Sequence, residues 1–550
     1  MEKDAPLKAP PAQKTPDLLL VAEDAAEKQP RHTHRTLERR HINLIAIGGL
    51  IGTGLFITIG SNGLVNAGPL GLLLAFTLWT VEILLLTVSV AEMVCYLPVD
   101  SPFLDMTGRV VDPALEAAAS VNFWLMQSLF VPFEVTAVNA MVHFWRSDYL
   151  PAITIAVCAV VYGALNVFAV RAYGESEFWL SLGKLIMCIG LLFFTVITMC
   201  GGNPQHDAFG FRNWHVAGGP IAEHIFTGAL GRFHGFMAGL ISACFIVVSS
   251  EYLAMTAGEA KNPCLSMASA FKTVLYRLAV FFVGGALSVT ILIAYNDPRY
   301  LALTAGSSNA AASPYVVAMQ NMGIRGLPSV INAVILTSAF SAGNSYTYCS
   351  SRSLYALAKK GLVPRVFTYC TAAGVPVYCV AVSCLFSLLS LMQLSSSSKK
   401  VLDFMVNLCT GLQLLNYFLM GVTYLHFYRA CRAQGIDRRT FPYVAWFQPY
   451  TAIVATFFLG VMVLMLGYTV FLPGRWSVTQ FLFRYVMIFV CIAVFAGFKL
   501  VKRTKYVRPE EADLVSGLDE IEEHEYRYYA ALEASGKVET KWLQMLNWIL

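Results

Sequence analysis

The chain has 550 residues, of which 57% are hydrophobic and 13% charged, with a formal net charge of +5 and a mean hydropathy of +0.59. A soluble globular chain carries about 25% charged residues. The deficit, with repeated apolar runs of about 20 residues, excludes the soluble classes and leaves an all-α polytopic membrane protein.

Residues 1–36 are polar and rich in Pro, Lys and Glu, and read as a disordered cytoplasmic N-terminal tail with no evident signal peptide. Lys3, Lys8, Lys14 and Lys28 are candidate acceptors for ubiquitin-ligase machinery, with a merely solvated tail as the plainer reading. Apolar windows then predict about twelve spans, near 42–68, 70–97, 119–144, 150–170, 177–200, 228–256, 271–296, 328–357, 376–394, 402–428, 450–472 and 478–500. This divides the chain into a membrane domain over 37–501 and a C-terminal tail over 502–550. Within the domain, repeat one covers about 42–200, repeat two about 228–428, and two extra helices about 450–500. The basic residues concentrate on the flanks and on one set of connections (Arg39, Arg40, Lys359, Lys360, Arg438, Arg439, Lys502, Arg503), so both termini are expected in the cytoplasm. The outer connections 201–227 and 297–327 read as loops with short surface helices, and the acidic stretch from Glu510 to Glu525 as solvated tail. Most of the 13 cysteines fall inside apolar runs, so neither a metal site nor a structural disulfide is expected.

The first predicted span contains Gly48, Gly49, Gly52 and Gly54 within seven residues. Glycine is poor helix interior, costing up to about 1 kcal/mol relative to Ala. Such a run either packs closely against another helix or breaks the span and frees its N–H groups near the bilayer midplane. The sixth predicted span repeats the interruption, with Ser249, Ser250 and Glu251 set into an apolar helix. Two interrupted helices five spans apart are the arrangement expected of a five-plus-five inverted repeat, which turns the reading of the glycine run toward a substrate-binding break.

An ionisable side chain at membrane depth is expensive, by at least about 2.5 kcal/mol at a helix centre, and calls for a partner or a purpose. Glu82, Glu92, Glu134, Lys184 and Glu251 stand out. Lysine and glutamate withdrawn from water can exchange a proton near neutral pH, so Lys184, Glu251 and Glu134 are the candidates for proton coupling, with a structural ion pair or snorkelling near a helix end as the plainer alternative. For Glu92, close to a helix end, a structural ion pair is the expected role. Arg352 is either a gate or an anchor.

The motifs then resemble a family. Leu37 to His41 lead into the stretch from Ile45 to Gly49 and Ile51-Gly52-Thr53-Gly54-Leu55-Phe56. Next come Pro132-Phe133-Glu134, Tyr173 to Trp179, Ala257-Gly258-Glu259-Ala260-Lys261-Asn262-Pro263, and the run from Asn332 to Tyr355. Further along lie Phe441-Pro442-Tyr443 and Gln448-Pro449-Tyr450. In this order they resemble the fungal amino acid permeases, the yeast amino acid transporter branch of the amino acid–polyamine–organocation superfamily, nearest in appearance to dicarboxylic amino acid permeases. The resemblance implies a proton-coupled amino acid symporter of the plasma membrane. It implies substrate contacts at Ile51, Gly52, Thr53, Gly54, Ser249, Ser250 and Glu251. It also places the Lys184 ammonium where sodium-coupled relatives hold an ion. Similar permeases carry glycine where this chain has Ser249, and the stretch from Cys409 to Tyr417 also departs from the branch; added bulk at Ser249 would narrow the pocket or change selectivity. A non-transporting amino acid sensor of the same fold is the alternative, against which the ordinary length of the N-terminal tail counts. No catalytic residue, cofactor or nucleic-acid partner is expected; the partners are amino acid, protons and the lipid bilayer.

Overall fold

The computed structural model describes residues 52–99, 101–146, 148–168, 170–248, 251–305, 313–371, 374–394 and 398–534. Among them every regular element is a helix, and nine are long and apolar enough to cross a membrane. The helices Leu327–Lys359 and Tyr450–Met465 fill the eighth and eleventh expected places.

The first span is described from Gly52, where extended backbone gives way to a 3-10 turn over Thr53–Leu55 and a π-helix over Ile59–Leu64. A sharp turn then sends the chain back as the second span, Val65–Tyr96. Gly68 makes that turn with φ +72°, and a Cβ there would lie 2.5 Å from the backbone nitrogen of Ala222. The loop at 220–222 clasps the turn, with Leu70 N donating to Pro220 O (2.8 Å) and Ala222 N to Ala67 O (3.0 Å). Only glycine combines that φ with so close an approach.

The third span, Pro113–Val142, is buried along most of its length and forms the centre of the bundle. It starts six residues before the predicted window because Asp112 caps it, accepting from Ala114 N at 2.8 Å, with Pro113 preset for the first turn. The tenth span, Ser398–Ala433, likewise extends beyond its window. An apolar window registers only the stretch facing lipid or core, whereas the helix continues into the polar flanks. Buried hydroxyls join the third, eighth and ninth spans: Ser128 and Ser350 share a bond of 2.7 Å, and Ser383 donates to Ser350 at 2.8 Å. The twelfth span, Val478–Lys502, lies outermost, with most of its side chains at least partly exposed.

The stretch after the twelfth span corrects the expectation of a solvated tail. Its acidic side chains are mostly exposed, but Ala512, Leu514 and Ile521 between them are buried. Tyr96 Oη donates to Leu514 O (3.0 Å), and Gln434 Nε2 to Ala512 O (2.7 Å). Arg109 Nη1 donates to Ser516 O (2.7 Å), and Cys264 N to Glu525 Oε1 (3.1 Å). The helix Leu518–Ala534 is therefore pinned beneath the bundle. Counting charge alone passes over the apolar anchors that hold the tail.

Candidate functional site

The sixth span breaks where the sequence placed the break. Its first half, Gly228–Ile246, ends in extended backbone at Val247, and a second helix begins at Glu251. The carbonyl freed at Val247 accepts from Trp79 Nε1 of the second span (3.1 Å), which satisfies a group that lipid could not. The two breaks meet: a Cβ on Gly54 would lie 3.2 Å from Ile246 Cγ1, so glycine permits this approach.

Against the first break stands Glu134 of the third span. Thr53 Oγ1 donates to both of its carboxylate oxygens, at 2.9 and 2.8 Å, and both residues are buried. The nearest atom to a Cβ built on Gly52 is Glu134 Oε1, at 3.9 Å. Lys184 of the fifth span, Val170–Met199, is buried and interacts electrostatically with Glu134 and with Glu177. Glu177 accepts from Ser341 Oγ of the eighth span at 3.2 and 3.1 Å. One cation thus lies between two carboxylates in a region closed to water, where charge interactions are strong.

Glu251 lies on the other side of the breaks. Its Oε1 accepts from Tyr417 Oη of the tenth span (3.0 Å), and Gln413 Nε2 donates to the same hydroxyl (2.8 Å). Oε2 has no hydrogen-bond partner among the described residues. Beside it, Tyr252 Oη donates to Gln127 Oε1 of the third span (2.8 Å). On the opposite flank Phe245 packs edge-on to Phe133 (5.0 Å) and stacks near Phe130 (5.9 Å). The breaks are therefore bounded by aromatic packing on one side and by tyrosine hydrogen bonds on the other.

Of the residues singled out in the sequence, Gly52, Thr53, Gly54, Glu134, Lys184 and Glu251 are described, while Ile51, Ser249 and Ser250 lie outside the described residues. Thr53 and Glu134 are in contact and Lys184 within electrostatic reach, whereas Glu251 belongs to a separate hydrogen-bond group with Tyr417. Glu92 sits apart in an ion pair with Arg438, and Arg352 rests over the Tyr348 ring at 4.0 Å. Sequence reasoning passed over Glu177 and Tyr417. Glu177 precedes Lys184 by seven residues, two helical turns, and so shares its face; that spacing was the available signal. Tyr417 carried none beyond its place in the stretch from Cys409 that departs from the branch.

A bundle of helices in which the extended start of the described first span meets the break in the sixth, beside buried acids and a lysine, has the form of a broken-helix membrane transporter. The pattern for the amino acid permease family matches residues 41–509. A general amino acid permease of Saccharomyces cerevisiae is 45% identical over 514 residues, covering 90% of this chain and 86% of its own. A proline-specific permease of Emericella nidulans is 38% identical, covering 89% of each chain. A dicarboxylic amino acid permease of Saccharomyces cerevisiae is 38% identical, covering 87% of this chain and 79% of its own. The chain belongs to the amino acid permease family, whose members are transporters and not enzymes.

Proposed function

We propose that this protein is a proton-coupled symporter that carries amino acids across the plasma membrane by alternating access. The observation that carries the reading is the Thr53–Glu134 bond, which ties an exchangeable acid to the first-span break with Lys184 in electrostatic reach. The substrate's α-carboxylate meets N–H groups at Ile51 to Gly54, where the following helix adds its positive dipole end. The ammonium meets carbonyls freed at the two breaks, with Ser249, Ser250 and Glu251 lining the sixth-span side. Protonation of Glu134 weakens its hold on Lys184 and Thr53, so proton and substrate occupancy act on the same backbone. Glu251 carries the second protonation step, on the opposite side of the breaks. The bundle of first, second, sixth and seventh spans rocks against the rest. The distribution of basic residues supports cytoplasmic termini. Relatives named for general and dicarboxylic amino acids support a broad or acidic substrate range. The lysines of the N-terminal tail are the proposed point of attachment for ubiquitin-ligase machinery.

The test is uptake of labelled Glu, Asp, Gln, Pro and Phe into proteoliposomes, with and without an imposed inward proton gradient. Accumulation that follows the gradient and is lost in Lys184→Ala is expected. Binding without accumulation under any gradient would overturn symport in favour of a sensor.

A further inference from the structure

The fifth span carries a polar face. Glu177, Ser181 and Lys184 follow one another at four and three residues, so they share one side of the helix, and all three are buried. Side chains on a helix lean toward its N-terminus, which turns Lys184 toward Ser181 and Glu177. The eighth span answers with serines at the same kind of spacing, Ser338, Ser341 and Ser345. Ser341 Oγ donates to both Glu177 oxygens, and Ser345 reaches the same carboxylate. From the fourth span, Pro151–Phe168, Asn166 Nδ2 donates to Asn344 Oδ1 (2.9 Å). A seam of polar groups thus joins three helices.

The seam leads toward the tail side. Lys360, just past the eighth span, pairs with Glu116 and Asp105, next to the Arg109 that holds the tail at Ser516. The burial of this span relaxes in that direction: Ser341 is buried, whereas Ser345, Tyr348 and Arg352, on the same face, are half-buried. Three buried polar atoms in the seam have no hydrogen-bond partner among the described residues: Ser181 Oγ, Ser338 Oγ and Asn166 Oδ1. Buried serines commonly turn back to their own helix, as Ser128 does to Trp124 O; these two do not. Leaving such groups unpaired in a closed interior is costly. Among the described residues, the charged group that acts on Glu177 is Lys184, and Glu134 acts on Lys184 from the other side.

We propose that Glu177 is the release acid of the transport cycle, taking the proton of Glu134 by way of Lys184 and passing it along this seam to the tail-side face. In the exchange the Lys184 ammonium gives one proton to the Glu177 carboxylate, and its nitrogen takes one from the Glu134 carboxyl. Glu134 ends as a carboxylate, Glu177 as a carboxyl, and the lysine is unchanged. Ser181, one turn from each, bridges the step on the Glu177 side: its hydroxyl accepts from the ammonium as it donates to the carboxylate, so no charge crosses bare hydrocarbon. Glu177 lies two turns, about 10 Å of helix, nearer the tail side than Lys184, and the proton leaves it at Ser345, where exposure begins. An ion pair kept only for structure needs one carboxylate on Lys184; a second, beside unpaired hydroxyls, suits a relay. The inference rests on the symport reading, which makes Glu134 the acid protonated first.

The test compares two modes of transport by the full chain in proteoliposomes, with labelled Glu, Asp, Gln, Pro and Phe. Net accumulation under an imposed proton gradient requires the proton to be released on the far side. Exchange of a labelled amino acid for the same unlabelled one at equal pH does not, because the loaded carrier returns with its proton. Glu177→Gln should therefore lose accumulation and keep exchange. Ser181→Ala removes an unpartnered hydroxyl at little cost to folding and should slow accumulation while sparing exchange. Equal loss of both modes by Glu177→Gln that still elutes as a folded particle, or accumulation by it at the rate of the unmodified chain, would overturn the release path and leave the symport reading standing. Should Glu177→Gln not fold, Ser181→Ala decides: accumulation at the unmodified rate overturns the path, and slowed accumulation with intact exchange supports it. Accumulation by the unmodified chain whatever the gradient, or neither accumulation nor exchange of any of the five, would overturn both.

Discussion

Glu92 and Glu251 are both buried carboxylates in the tail-side halves of membrane helices, yet they are built differently. Glu92 is met from several directions: Arg438 donates from Nε and from Nη2 (2.7 Å). Ala445 N donates at 2.7 Å, and Tyr424 Oη at 3.2 Å. Glu251 has Tyr417 on one oxygen and, among the described residues, nothing on the other. A carboxylate with this many donors locks a junction, here between the second span and the connection after the tenth. A half-satisfied one leaves room to gain or lose a proton. Glu134 falls between the two, with both oxygens bonded to Thr53 and a lysine that it shares with Glu177.

The contrast is open to direct attack. The largest effect is expected at the central cluster. Glu134→Gln removes the carboxylate that the symport reading makes a proton carrier beside the first-span break, so gradient-driven uptake should be lost while the protein still elutes as a folded particle. Uptake by Glu134→Gln at the rate of the unmodified chain would break the assignment. Glu92→Gln should do the reverse. It strands Arg438, lowers the thermal midpoint and yield in detergent by the equivalent of about 3 kcal/mol, and spares the specific uptake of the molecules that do fold. A uniform loss of specific uptake without loss of stability would erase the distinction between the two acids.

Tyr417→Phe removes the hydroxyl that donates to Glu251. A hydrogen bond to a charged group contributes about 1.5–3 kcal/mol, so the external pH that gives half-maximal uptake should move by about one unit. An unmoved pH profile would take Glu251 out of proton coupling.

The smallest effect belongs to a satisfied acid outside the membrane. At Asp112 burial pushes the carboxyl up, but Lys499, the Ala114 N–H and Thr504 together outweigh it and hold it below the ordinary carboxylate value. Stability from a lowered carboxyl is present above the unfolded value, about 3.9, and is lost as pH falls through the lower folded value. Asp112→Asn keeps a good N-cap but removes the charge that Lys499 meets, and should therefore lower the melting temperature at pH 7 by the equivalent of up to about 1 kcal/mol. The gap should close as pH falls below about 4. A gap that persists in acid would mean that the cap, not the charge, is responsible.

The sequence by itself determined the membrane class, the run of spans and the break in the sixth span. These depend on local properties: stretches of about 20 apolar residues, glycines that helix interiors disfavour, and polar groups set into apolar helices. It also singled out Glu134, Lys184 and Glu251, because a charge in an apolar run is costly wherever it sits. Only the tertiary structure decided which of these share a site. Thr53 and Glu134 are 81 residues apart, and Tyr417 and Glu251 166 apart; no helical periodicity relates one span to another. Tertiary structure also decided that Glu92 meets Arg438, that Glu177 shares Lys184 with Glu134, and that the acidic tail docks through Ala512, Leu514 and Ile521. In each case burial by a distant element, rather than the residue's own neighbourhood in the chain, determines whether a charge is satisfied.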